Sequence, residues 1–192
     1  AAAALMAALG FAAAWYWRQS DQPIAVPLAT GTLIEPRREL PAFSLLDSHG
    51  AAFTRESLRG HWSLLFFGYT NCPDVCPSTL SMLAALDREL TRAAAPRPQV
   101  VFVSVDARRD TPAVLAGYVP YFDPQFIGVT AADQAQIEAF ARGLGAAVLI
   151  GAERDGTYSV DHSGALFLVA PDARLAAILS GPHTRTGLRE DL

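Results

Sequence analysis

Short apolar runs alternate with amphipathic stretches along most of this chain. Leu64, Leu65, Phe66 and Phe67 follow one another without a polar break, as a strand covered on both faces requires, and Gly68 ends the run. Pro77 stands where a helix can begin, because its missing N–H costs nothing in a first turn. Leu80, Leu83 and Leu90 then recur at helical spacing to about Ala93. Val100 to Val105 (VVFVSV) reads as a second buried strand ending at Asp106. Thr111-Pro112 opens a helix to about Tyr121, Phe126 to Val129 is a short strand, Asp133 caps a helix to about Gly143, and Ala146 to Ile150 is a strand. Ala165–Val169 and Leu175–Leu179, joined by Pro171-Asp172-Ala173, form the clearest antiparallel hairpin, and a short polar helix starts near Thr184. Ahead of the first central strand, Pro41 to Trp62 reads as an N-terminal hairpin: FSLL, the turn Asp47-Ser48-His49-Gly50, then Phe53 and Thr54, then a turn over Glu56–Arg59 closed by Gly60. This alternation predicts an α/β fold, a mixed sheet flanked by helices.

The start of the chain is different. Residues 1–17 carry no charge and span about 26 Å as a helix, close to the ~30 Å of a bilayer core. Trp15, Tyr16 and Trp17 stand where an interfacial aromatic belt lies, and Arg18, Gln19, Ser20 and Asp21 follow at once. Together these predict an N-terminal transmembrane helix. A cleaved signal peptide is the competing reading, but the bulky WYW end lacks the small residues that cleavage needs. Either way the body is exported. Residues 18–40 are polar and carry Pro23, Pro27 and Pro36, so they read as a tether with little structure of its own. The remaining residues, 41–192, suffice for one domain with a large core.

Composition narrows the field. A net charge of −4 gives no basic face for nucleic acid. All fifteen basic residues are arginine. With so much alanine, this points to a GC-rich bacterial genome, and so to a body on the periplasmic side of the inner membrane rather than at a mitochondrial one.

The chemistry gathers between the first central strand and its helix, where Cys72 and Cys76, the only two cysteines, sit in one loop. A strand, a cysteine-bearing loop and a helix inside a mixed sheet is the thioredoxin-like arrangement. Four residues apart in a turn, the Cα atoms would lie near ~6 Å, within disulfide range, and an exported body meets oxidants. Such a small loop gains little from a purely structural bridge. Two functional readings remain, both resting on thiolates at a helix N-terminus. The pair cycles between dithiol and disulfide, or it binds a soft metal. Two sulfurs select Cu(I) and one imidazole completes a three-coordinate site, whereas zinc usually asks for a fourth ligand. His49, His61 and His183 read as surface residues. His162 stands in a short polar interval just before the apolar strand at Ala165, a connection that a thioredoxin-like sheet brings near the cysteine loop. Met82 is a soft donor by type, but its register beside Leu83 and Leu86 assigns it to the core.

Three blocks then carry a specific likeness. GYTNCPDVCP (Gly68–Pro77), SVDARRDTP (Ser104–Pro112) and VDHSGALFLVAPDARL (Val160–Leu175), with PQFIGVT (Pro124–Thr130) between them, resemble the signature blocks of the SCO/SenC family in order and spacing. The resemblance implies a membrane-tethered, thioredoxin-like metallochaperone that binds copper and helps assemble the dinuclear CuA centre of cytochrome c oxidase. It implies Cys72, Cys76 and His162 as ligands, for Cu(I) and with the imidazole also for Cu(II). It implies the copper-binding subunit of the oxidase, a copper donor and a thiol reductant as partners. Asp106 and Asp110 match the acidic positions of the central block; as plain residues, Asp110 before Thr111-Pro112 reads as a helix N-cap and both read as orienting the loops or meeting a partner. Tyr69, Thr70 and Asn71 read as supports for the ligands or as turn residues. Ala107 and Gly164 depart from the usual residues without touching a ligand.

Two rival readings use the same loop. A thiol-disulfide oxidoreductase would work through Cys72 and Cys76 and keep the oxidase cysteines reduced, although its usual spacing is C-x-x-C. Val75-Cys76-Pro77 also resembles the peroxidatic motif of peroxiredoxins, but Pro73 stands where those carry threonine.

Overall fold

The computed structural model describes residues 24–153 and 158–192. The predicted anchor over 1–17 lies outside the described residues, and among these no helix is long and apolar enough to cross a membrane. In chain order the elements are β1 (Ile24–Pro27), β2 (Gly31–Glu39), β3 (Leu45–Asp47), β4 (Ala52–Phe53), a 3₁₀ turn (Arg55–Leu58) and β5 (Ser63–Gly68). Then come α1 (Val75–Arg92), β6 (Gln99–Ser104), α2 (Pro112–Tyr118), β7 (Ile127–Thr130), α3 (Gln134–Leu144), β8 (Val148–Ile150), β9 (Val160–His162), β10 (Leu166–Val169), β11 (Arg174–Leu179) and α4 (Arg185–Asp191).

The run from Leu64 to Phe67 is the middle of the fold, as its unbroken apolarity predicts. Every residue of β5 is buried. It pairs parallel with β6 on one side and antiparallel with β10 on the other. β6 pairs parallel with β7, so the nine-stranded sheet runs β1-β2-β11-β10-β5-β6-β7-β3-β4. Successive side chains of a strand point to opposite faces. Phe66 therefore meets Phe102, with ring centroids 6.0 Å apart, and Phe67 meets Phe140 of α3 and Phe167 of β10 at 5.9 and 5.4 Å. The expected hairpin before β5 is present: Leu45 pairs with Phe53, and β3 adds the hairpin to β7 through Leu46 and Thr130.

Residues 18–40 are not a structureless tether where they are described. β2 pairs with β11 over Gly31–Leu179 and Thr32–Ile178, and β1 folds back on β2. Proline punctuation misled because Pro36 sits in a bulge. Arg38 pairs with Leu175 and Leu33 with Ala177, so residues 34–37 step out of the pairing with β11, where the missing N–H of Pro36 costs little. Gly31 has no alternative, since a Cβ there would lie 2.2 Å from the carbonyl oxygen of Ile178.

Two helices also differ from expectation. α1 starts at Val75, so Cys76 lies within its first turn and Pro77 is the third helical residue, still among those whose N–H has no partner in the helix. α2 ends at Tyr118 and tightens into a 3₁₀ turn over Val119–Tyr121, because Pro120 cannot continue the ladder. Hydrogen exchange checks the reassigned strand: amides of Gly31–Leu33 should exchange about as slowly as those of β11, whereas a tether would exchange them at the rate of free chain.

Candidate metal centre

The three parallel strands β5, β6 and β7 end at one pole of the sheet, and the antiparallel β10 begins there. The loops that follow β5 and β6 and the segment that precedes β10 therefore converge, which places residue 162 beside residues 72 and 76. The ligand atoms of Cys72, Cys76 and His162 all lie within 4.8 Å of one another. Both cysteines are free thiols.

The cysteine loop turns sharply after Tyr69, whose carbonyl accepts from the Cys72 N–H at 3.2 Å. Asp74 precedes α1, but its side chain gives no capping bond to the backbone. The sulfur of Cys72 takes that place instead, accepting from the Cys76 N–H at 3.4 Å. The sulfur thus stands where a capping side chain would, at the N-terminus of α1. Cys72 is half-buried and Cys76 wholly buried. Burial pushes the Cys76 thiol well above the ordinary range, and the Cys72 sulfur beside it adds to the effect. Cys76 fits against the sheet only because residue 68 is glycine. A Cβ there would stand 2.6 Å from the Phe102 ring and 2.9 Å from the Cys76 sulfur.

His162 ends β9 rather than lying in a loop, and it pairs with Val148 in a two-stranded sheet separate from the main one. Its Nε2 faces the Cys76 sulfur at 3.4 Å, and its Nδ1 lies 3.1 Å from the Ser163 carbonyl. A carbonyl only accepts, so Nδ1 carries the proton and the Nε2 lone pair points at the sulfurs. Burial lowers the imidazole pKa, which keeps that lone pair free. Edge-on contacts fix the ring: Tyr69 at 5.9 Å and Phe66 at 6.2 Å between centroids. Two sulfurs and a nitrogen at this separation form a donor set for one soft ion, and the two sulfurs alone form a redox pair.

Asp110 does not cap a helix. Thr111 caps α2, accepting from the Val114 N–H. The Asp110 carboxyl is fully buried and accepts from the Thr70 N–H at 2.9 Å, the Thr70 hydroxyl at 2.6 Å and the Ser104 hydroxyl at 2.6 Å. Asp106, also fully buried, accepts from the Tyr158 hydroxyl at 2.6 Å and pairs with Arg109. Thr70 thus supports the cysteine loop, while Asn71 is exposed. His49 and His61 are exposed, as expected. His183 is not simply a surface residue: it is half-buried, and its Nε2 donates to the Gly164 carbonyl at 2.8 Å, two residues past His162. Met82 packs against the core but also lines a cleft of about 350 Å³ with Val75, Pro182 and His183. The sequence offered no signal for His183, Arg109 or Tyr158, because each acts through a partner distant in the chain.

The fold and the site define a thioredoxin-like domain carrying a two-sulfur, one-imidazole centre. The SCO1/SenC family description matches residues 32–192, and the chain belongs to that family. A protein of Stutzerimonas stutzeri named for copper binding is 36% identical over 172 residues, covering 90% of this chain and 84% of that one. The mitochondrial SCO2 homologue of Bos taurus is 40% identical over 132 residues, 68% of this chain; the match spans about half of that relative, 49% of its length. The copper-bound structure of Arabidopsis thaliana ScoI superposes with a TM-score of 0.73 at 33% identity, covering 79% of this chain and 93% of that one.

Gly68→Ala tests the packing behind Cys76. It should destabilise the fold by about 1–3 kcal/mol in denaturant unfolding, as overpacking does, and make the Cys76 thiol accessible to alkylation in the native state.

Proposed function

We propose that this protein is a copper metallochaperone, with copper as its cargo. Cys72, Cys76 and His162 would hold the ion and release it to the CuA site of cytochrome c oxidase during assembly. The observation that carries this reading is the imidazole: its Nε2 lone pair is turned onto the Cys76 sulfur at 3.4 Å with the tautomer fixed by Ser163. A dithiol that only exchanged electrons would have no use for it. The copper bound in the similar Arabidopsis structure, and the copper-binding name of the similar Stutzerimonas protein, support the choice of metal. As Cu(I) binds, Cys76 gives up its proton and both sulfurs become thiolate ligands; the nitrogen adds the harder donor that Cu(II) favours. The copper-binding subunit of the oxidase would be the acceptor, with a separate copper donor and thiol reductant upstream. Anchoring through residues 1–17 in a bacterial inner membrane would hold the domain in the periplasm.

One observation favours a second role. Cys72 is the accessible thiol and Cys76 the buried one, the order a thiol-disulfide oxidoreductase needs for attack and resolution. The same protein would then also reduce the oxidase cysteines before loading them.

The reduced protein should bind one Cu(I) per chain in competition with a chromogenic chelator. His162→Ala should weaken Cu(II) binding by roughly 100-fold, about 2.7 kcal/mol. Unchanged copper affinity in that variant would remove the imidazole from the site. For the second role, reduction of a disulfide peptide from the oxidase copper site should proceed at the wild-type rate in His162→Ala and stop in Cys72→Ser.

A further inference from the structure

The hairpin that carries His162 is not part of the main sheet. Among the described strands, β8 and β9 pair only with each other. Among the described residues, Val160 is buried and Val148 and Ile150 pack partly against the core. Apolar packing is non-directional, so these contacts hold the hairpin down without fixing how far it slides along the surface. Past the hairpin His183 donates to the Gly164 carbonyl, and just before β9 the directional contacts are those of Tyr158. The Tyr158 hydroxyl donates to Asp106 at 2.6 Å, and Arg109 donates to the Tyr158 carbonyl at 3.3 Å. The Arg109 guanidinium also covers the Tyr158 ring at 3.8 Å. The same guanidinium lies 5.8 Å from the ring of Tyr69, which meets the His162 imidazole edge-on.

Tyr158 and His162 stand four residues apart on nearly extended chain, roughly 13 Å. Fixing one end of that rod fixes the other. The loop that grips Tyr158 through Asp106 also grips the cysteine loop, because Asp110 accepts from Thr70. One five-residue loop is therefore the common reference for both halves of the metal site.

We propose that Tyr158 is a positioning residue for His162: its hydroxyl, held by the buried carboxyl of Asp106, sets the reach of β9 toward the two sulfurs. This rests on the reading of His162 as a copper ligand. It also gives the lock a chemical consequence. Two thiolates alone satisfy Cu(I), whereas Cu(II) depends on the nitrogen. Loosening the lock should therefore act on one oxidation state and spare the other.

The test uses the full chain with Tyr158→Phe, which keeps the ring beneath Arg109 and removes only the hydroxyl. Cu(II) affinity should fall by about tenfold or more, the size expected when a support of a ligand is lost. The nitrogen coupling in the Cu(II) paramagnetic resonance spectrum should weaken, while Cu(I) affinity stays near wild type. In the copper-free protein, the imidazole resonances of His162 should broaden or shift. Equal losses for Cu(I) and Cu(II), tracking a lowered melting temperature, would show a merely structural tyrosine and overturn the proposal; so would unchanged Cu(II) affinity. His162→Ala run in parallel separates the two levels. If that variant keeps wild-type Cu(II) binding, the ligand reading itself fails; if it loses Cu(II) binding while Tyr158→Phe does not, only the positioning role fails. Should Tyr158→Phe not fold, Arg109→Lys carries the same test, because it keeps the charge and removes the planar cover and the bond to the Tyr158 carbonyl.

Discussion

The geometry of the candidate metal centre hangs on where one buried carboxyl group, that of Asp110, finds its donors. Removing such a group from water without partners costs several kcal/mol. Asp110 meets three donors instead, and they come from two separate places: Thr70 in the loop after β5 and Ser104 at the end of β6. The cysteine loop is thus referenced to the sheet by hydrogen bonds, which have direction, rather than by apolar contact, which has none. Gly68 and Phe102 then leave room for one sulfur and no more.

Topology explains why so few contacts suffice. In a parallel sheet, all the loops that follow strands gather at one pole, and ligand sites collect there. β5, β6 and β7 deliver the cysteine loop and both buried aspartates to that pole. β10 runs the other way, so the residues just before it arrive at the same place. His162 and Cys76 are 86 positions apart in sequence, yet the register of Leu166 opposite Phe66 delivers the end of β9 to the cysteine loop.

This division between local and distant causes decides what could be read in the sequence. The buried strands over Leu64–Phe67 and Val100–Val105, the helix capped by Asp133 and the closing hairpin were legible because each is signalled by its own residues. The cysteine pair was legible for the same reason. His162 needed the topology, and the resemblance supplied it. Residues 31–39 were misread because Pro36 looks like a linker residue and only the partner strand β11 shows the bulge that accommodates it. For Asp110 the local rule, acid before Thr-Pro, pointed to a cap that Thr111 supplies instead, while the other reading, that it orients the loops, holds through Thr70 and Ser104. Tyr158 and Arg109 look like ordinary polar residues until Asp106 is placed beside them.

The two sulfurs, finally, are not equivalent, and the difference bears on how a cargo ion would move. Cys72 is half-exposed and accepts a hydrogen bond from an amide of the helix N-terminus. Cys76 is sealed beneath the loop, holds its proton tightly and faces the imidazole. On the proposed reading, an incoming thiolate would meet the ion at the Cys72 side first. Exchange by successive displacement would then begin at Cys72 while Cys76 and His162 still hold the ion, so that it is never free in solution.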